Sequence, residues 1–172
     1  MLVFVLLFSV GYILLLTFAA GVRQVLRRAG DSSTLPVLAF GAAIWVNVVG
    51  TIGLVAIGAA AFRAPSLEPG IAQSLSDMNN IGFALIGVPF AVLFGAASVS
   101  AMSARVFPRW IIWVGFLIVA LNVVKLFTVF TRSGGFAPGG DLSIVPVVPI
   151  WVWTIAVGIL MIRGIKSPTA SS

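Results

Sequence analysis

The ionisable groups of this chain are few, and only Lys125 lies well inside a long apolar stretch. Asn122 lies one helical turn before Lys125 on the same predicted helix face, and Asn47 lies near the middle of another apolar stretch. An amine beside amides at membrane depth could bind an anionic headgroup, whereas the amides alone could form hydrogen bonds between neighbouring helices. Asn47, Asn122 and Lys125 are therefore candidate site residues.

Asp77 is the acid that the sequence places nearest to Lys125, because both are expected near the outer ends of neighbouring helices. Opposite charges attract strongly where the dielectric constant is low. We expect Asp77 and Lys125 to approach each other, either directly or bridged by Asn79 or Asn80. Asp77 is therefore a fourth candidate site residue.

Two interpretations of this polar group remain open. In the first, Lys125 extends its flexible stem over roughly 8 Å of helix rise to the outer interface, and the two asparagines form hydrogen bonds between helices. In the second, Asn47, Asn122 and Lys125 form a pocket for an anionic or lipid headgroup from the outer leaflet. Convergence of the three side chains on a cavity open to the outer side would favour the second interpretation.

The sequence contains few of the side chains that commonly carry out catalysis. Zero Cys and zero His remove thiol catalysis, the commonest general base and the commonest transition-metal ligand. Ser133, in T-R-S-G, has no histidine to activate it as a nucleophile, and an aspartyl intramembrane protease would need two carboxylates within the spans. The four acids are isolated in predicted loops: Asp31, Glu68, Asp77 and Asp141. We expect no enzyme, no cofactor and no metal site.

Composition places the chain in a membrane. The 172 residues are 60% hydrophobic and 8% charged, with a mean hydropathy of +1.20, which lies outside the range of soluble domains. The net charge of +6 comes from basic residues at predicted helix ends, where such residues fix membrane orientation. The lipid bilayer, and not a nucleic acid, is therefore the expected partner.

The fold class predicted from these patterns is all-α: a polytopic membrane protein with five transmembrane helices in an up-down bundle. Residues 1–172 form a single domain. The predicted spans are about 2–20, 35–62, 79–104, 110–130 and 148–162.

Several local features follow from the predicted spans. The polar stretch from Arg63 to Met78 is expected to be a loop, with Ser76 or Asp77 capping the third span. Pro89 should kink that span, and the short turn from Arg105 to Arg109 should make spans three and four a helical hairpin. Small residues on spans two and three should let helices pack closely, within the fold or in a homo- or hetero-oligomer. Trp151 and Trp153 are candidates for an interfacial belt.

Basic residues also predict the orientation. No Lys or Arg precedes the first span, so it is expected to be an uncleaved helix with its N-terminus outside. Alternation over five spans then puts the C-terminus in the cytoplasm, with seven basic residues inside and two outside. These are Arg23, Arg27, Arg28, Arg105, Arg109, Arg163 and Lys166 inside, and Arg63 and Arg132 outside.

Three stretches of the sequence carry a resemblance: Asp77 to Phe90, Phe107 to Phe116, and Phe136 to Gly140. Together they are similar to uncharacterised multi-pass proteins found chiefly in actinobacteria and known only as domains of unknown function. The resemblance implies a bacterial plasma membrane and no known activity. Members often have six spans, which implies that this chain lacks an N-terminal helix or starts late relative to the family.

Two classes of function are compatible with these observations. The first is a non-catalytic structural or accessory membrane component that works through helix packing. The second is a small transporter, or a lipid- or anion-binding protein, that uses the polar group around Lys125.

Overall fold

The structure is a computed structural model that describes residues 2–131, 134–135, 137–138, 140 and 144–164. Every regular element in these ranges is helical. The α-helices are α1 (Leu2–Arg28), α2 (Leu35–Phe62), α3 (Pro69–Leu85), α4 (Gly87–Ala104), α5 (Arg109–Leu126) and α6 (Val147–Ile162), with short 3-10 helices at Ala64–Ser66 and Phe127–Phe130. The predictions made for Ser133, Asp141, Arg132 and Lys166, and two residues of the stretch from Phe136 to Gly140 (Phe136 and Gly139), fall outside the described residues.

The described helices confirm an all-helical protein with four to five long apolar helices that could span a membrane. By length and composition, four segments qualify, and α6 adds a shorter apolar helix of 16 residues. The qualifying segments are Val5–Arg28, Leu35–Phe62, Pro69–Ala104 and Arg109–Phe130. Helix α2 has the predicted bounds, whereas α1 continues past the predicted end at residue 20 through its three arginines, because arginine is a good helix former.

The predicted loop from Arg63 to Met78 is wrong from Pro69 onward, where α3 begins. A proline suits the first helical position, because its φ is already helical and its missing N–H has no partner there in any helix. Ser76 and Asp77 therefore lie inside α3 and cap nothing. The Asp77 carboxylate accepts a hydrogen bond from Gln73 Nε2 at 3.2 Å, one turn earlier on the same helix.

The predicted kink at Pro89 is confirmed as a break between two helices. Helix α3 ends at Leu85 and α4 begins at Gly87, with Ile86 between them. Pro89 has no N–H to donate to the carbonyl of Leu85, four residues earlier, and its ring crowds that carbonyl. The break lies at the level of Asn122, because a Cβ on Gly87 would lie 3.0 Å from the Asn122 carbonyl oxygen.

The small-residue faces predicted on spans two and three are packing seams inside the fold. A Cβ on Gly50 would overlap the Tyr12 ring of α1, and a Cβ on Gly95 would lie 3.3 Å from Val119 of α5. The alanines of these seams are buried: Ala39, Ala42, Ala43 and Ala56 on α2, and Ala96, Ala97 and Ala101 on α4. These faces are therefore used for packing within one chain.

Trp153 occupies the centre of the core, which corrects the prediction that it belongs to an interfacial belt. Its side chain is 2% exposed, and the rings of Phe18, Phe94 and Phe107 meet it edge-on at centroid distances of 6.0, 5.0 and 6.3 Å. Trp151 is 63% exposed. Residues two apart on a helix point about 200° apart, so the two tryptophans cannot share one face.

One hydrogen bond ties the α1–α2 connection to α4. The Ser100 hydroxyl donates to Asp31 Oδ2, and the Ser33 N–H donates to Asp31 Oδ1 at 2.8 Å. These hydrogen bonds, that of Ser100 first, hold the pKa of Asp31 below its ordinary value of 3.8. Because Ser100 is fully buried, it would lose its hydrogen-bond acceptor if the carboxylate were removed.

Protonation of Asp31 should therefore destabilise the fold at low pH. A folded-state pKa below the ordinary value means that the stabilisation is fully present above pH 3.8 and is lost as pH falls through the folded value. We expect the thermal midpoint of the detergent-solubilised protein to fall more steeply in this acid range than that of Asp31→Asn. Asp77→Asn is the control, since Asp77 bonds to Gln73 on its own helix; equal profiles for wild type and Asp31→Asn would contradict the prediction.

Candidate functional site

Lys125 is buried in the core of the helical bundle. It is 4% exposed, and its neighbours Asn122 and Thr128, three residues away on either side, are each 1% exposed. A spacing of three residues puts these side chains on one face of the helix. The structure therefore brings Asn122 and Lys125 together, as the sequence predicted, beside the break between α3 and α4.

The Lys125 ammonium lies against an aromatic ring. Its Nζ is 3.4 Å from the centroid of the Phe83 ring on α3, a cation–π contact that is strongest where water is excluded. The expectation that Lys125 extends to the outer interface is therefore wrong. The side chain is buried and its ammonium lies over the Phe83 ring.

Asp77 does not pair with Lys125. Within the described part of the chain, no ion pair or hydrogen bond links Lys125 to Asp77, Asn79 or Asn80. Asp77 and Phe83 are six residues apart on α3, so they point about 120° apart around the helix. Since Phe83 faces Lys125, Asp77 is directed elsewhere, and it is exposed. Asp77 lies inside α3 and not at the start of a span, so its carboxylate is on a helix face that does not meet Lys125.

The two candidate asparagines form hydrogen bonds within their own helices. Asn47 Nδ2 donates to the Ala43 carbonyl at 2.9 Å, and Asn122 Nδ2 donates to the Ile118 carbonyl at 2.9 Å. The expected hydrogen bonds between helices are therefore wrong, because a side-chain amide can reach the carbonyl one turn back without a neighbour. Asn47 is only partly buried and forms no described hydrogen bond with Asn122 or Lys125.

Comparison of the chain with protein families, with curated proteins and with solved structures gives no match. The chemistry of the site must therefore be read from its own side chains. Around Lys125 these supply one ammonium, one aromatic face and amide and hydroxyl groups, which suit an anion and not a metal ion. The described residues contain no group of three or more acidic, His or Cys side chains that could hold a metal.

A second feature, at the opposite end of α5, was missed by sequence reasoning. An open groove of about 740 Å³ lies at the hairpin turn between α4 and α5. Its lining includes Arg105 and Arg109, which the sequence suggested only as markers of orientation. The available signal was the spacing: Trp113 and Phe116 follow Arg109 by four and seven residues, which puts them on its helix face.

Proposed function

We propose that this protein is a non-catalytic integral membrane protein with a structural or accessory role. In this proposal its helices form five spans in an up-down bundle, with the N-terminus outside and the C-terminus in the cytoplasm. The positive-inside distribution of its basic residues supports this orientation. The shortest helix, α6, has 16 residues and rises about 24 Å, which approaches the ~30 Å hydrocarbon core.

The membership and location that we propose rest on the sequence. The three stretches similar to actinobacterial multi-pass proteins support membership in that group and a bacterial plasma membrane. The bilayer is the proposed partner, because the fold leaves large apolar side chains exposed along its helices. Examples are Leu6 and Ile13 on α1, Val55 on α2 and Ile155 on α6.

The observation that carries the structural role is the direction of the polar side chains within the spans. Ser9, Thr17, Asn47, Asn122 and Thr128 each donate a hydrogen bond to a carbonyl of their own chain three or four residues earlier. A transport path would need such groups to face a shared aqueous cavity. Their direction, together with the buried small-residue seams, supports a packed body of helices.

A second candidate function is the binding of a small anion or lipid headgroup at Lys125. The specific observation is an ammonium only 4% exposed that has no acidic partner among the described residues and lies on the α5 face that meets the start of α4. An ionisable residue buried among spans is often functional, and helix breaks in transporters direct positive helix ends toward anionic substrates. Anion or headgroup binding at Lys125 is therefore the second candidate function, after the structural role.

Replacement of Lys125 with methionine separates the two functions. Methionine keeps an unbranched stem against Phe83 and removes the charge, and it therefore also removes the desolvation penalty of several kcal/mol that a buried ion carries. For a structural role we expect Lys125→Met to unfold at an equal or higher temperature. We also expect it to retain the same small molecules and lipids by mass spectrometry after purification with native lipids.

Thr17→Val is the matched control, because Thr17 bonds only to the Ile13 carbonyl of its own helix. An anionic molecule that co-purifies with wild type and Thr17→Val, and not with Lys125→Met, would overturn the structural role in favour of binding. Identical molecules in all three preparations would exclude binding at Lys125.

A further inference from the structure

The groove at the α4–α5 turn presents two cationic side chains at the end of two candidate membrane-spanning segments. Arg105 follows the last residue of α4, and its left-handed conformation, with φ 53° and ψ 35°, turns the chain sharply at this point. Arg109 is the first residue of α5. The turn thus brings both arginines to the lining of the same groove.

Both arginines are available to an anion. They are exposed, and no hydrogen bond or ion pair is formed by either side chain with any described residue. Asp31, the acid of the α1–α2 connection, accepts hydrogen bonds from Ser100 and Ser33. Pro108, which precedes α5, provides no side-chain cap for the first turn of that helix, so the positive end of its dipole adds to the two guanidinium charges.

The rest of the groove is apolar and follows the axis of α5. Ile112, Trp113 and Phe116 lie three, four and seven residues after Arg109 and share its face of the helix. The rings of Trp113 and Phe116 contact each other with centroids 5.9 Å apart, and Trp113 is 69% exposed. Met102 of α4 adds a flexible apolar side chain. Polarity therefore changes along the groove, from guanidinium groups at its end to aromatic rings further along the span.

We propose that this groove binds an anionic phospholipid, with the phosphate between Arg105 and Arg109 and an acyl chain along Ile112, Trp113 and Phe116. A phospholipid has the same order of polarity as the groove, from a charged phosphate to hydrocarbon. Guanidinium groups bind phosphate oxygens in pairs, and basic pockets between membrane helices are known to hold anionic headgroups. A free anion would leave the apolar part of the groove unused. The proposal does not depend on Lys125.

The test compares two lipids with identical acyl chains, phosphatidylglycerol and phosphatidylcholine. The full-length protein in detergent is titrated with each lipid, and bound lipid is counted by native mass spectrometry. Wild type should prefer phosphatidylglycerol. Arg105→Gln/Arg109→Gln should reduce that preference by roughly thirtyfold, because each basic residue near an anionic headgroup contributes about 1 kcal/mol. Trp113→Ala should weaken the binding of both lipids and leave the preference unchanged.

Arg27→Gln/Arg28→Gln is the matched control, since it removes two exposed arginines that do not line the groove. The control should keep the preference of wild type. An equal loss in both double variants would show a diffuse effect of surface charge and would overturn the proposal. Displacement of phosphatidylglycerol by millimolar inorganic phosphate would also overturn it, because it would identify a free-anion site. Circular dichroism checks that every variant remains folded.

Discussion

Replacement of Trp153 with alanine is expected to lower the free energy of unfolding by about 3 kcal/mol, the lower end of the range for a buried tryptophan. The indole fills the space between α1, α4 and the α4–α5 turn through its contacts with Phe18, Phe94 and Phe107. In a bilayer the unfolded reference state is also apolar, so close packing supplies most of this energy. The cavity left by the indole would remove contacts from three rings at once.

The measurement is equilibrium unfolding in mixed micelles with a denaturing detergent. Trp151→Ala is the matched control, because it removes the same side chain from an exposed position on the same helix, and it should change stability by less than about 0.5 kcal/mol. Trp153→Phe should retain most of the stability, since the indole N–H forms no hydrogen bond with any described residue. Equal losses for the two alanine variants would contradict the central role of Trp153.

The replacement of Gly115 with valine should be nearly as damaging, with an expected loss of about 2–3 kcal/mol from overpacking. A Cβ on Gly115 would overlap the Ser98 hydroxyl of α4 and would lie 3.2 Å from Trp153 Nε1. Both of these neighbours are buried and cannot move without displacing others. The glycine is therefore required because α4 and the indole approach the α5 backbone at this point.

The same unfolding assay tests this prediction, with Gly41→Val as control. Nothing lies within 4 Å of a Cβ built on Gly41, so a side chain there enters open space and should be tolerated. Gly115→Ala combined with Ser98→Ala should recover part of the loss caused by Gly115→Ala alone, because the closest obstacle is removed. If the double variant is as unstable as the single variant, the overlap with Ser98 is not the cause.

Some errors of sequence reasoning share one physical origin. Hydropathy averaged over a window detects an apolar span, but it does not detect the part of a helix that extends into polar residues. Helix α3 begins at Pro69, ten residues before the predicted start at Asn79. Its first half contains Gln73, Ser74 and Asp77, whose polarity suggested a loop. This extension places Asp77 on a helix face, which removed it from the site predicted around Lys125.

The candidate site could be predicted only in part, because the helix face follows from residue spacing but its partners follow from tertiary packing. The spacing of Asn122 and Lys125 fixes their common helix face, and both side chains are buried in the structure. The partners of that face depend on how α3 and α5 pack, so Phe83 could not be identified as the group that covers Lys125. The amide hydrogen bonds were misassigned because the carbonyl one turn earlier is always within reach.

The sequence alone determined that this is an all-helical protein with apolar, membrane-compatible segments, and it located the α2 bounds and the break caused by Pro89. These properties follow from composition, local hydropathy and the missing N–H of proline, none of which requires a neighbour. Only the tertiary structure decided that Trp153 is central and Trp151 exposed, that Lys125 is buried under Phe83, and that Arg105 and Arg109 line one groove. In each case the outcome depends on which helix lies opposite, and in a chain so uniformly apolar the sequence provides no polar face to indicate it.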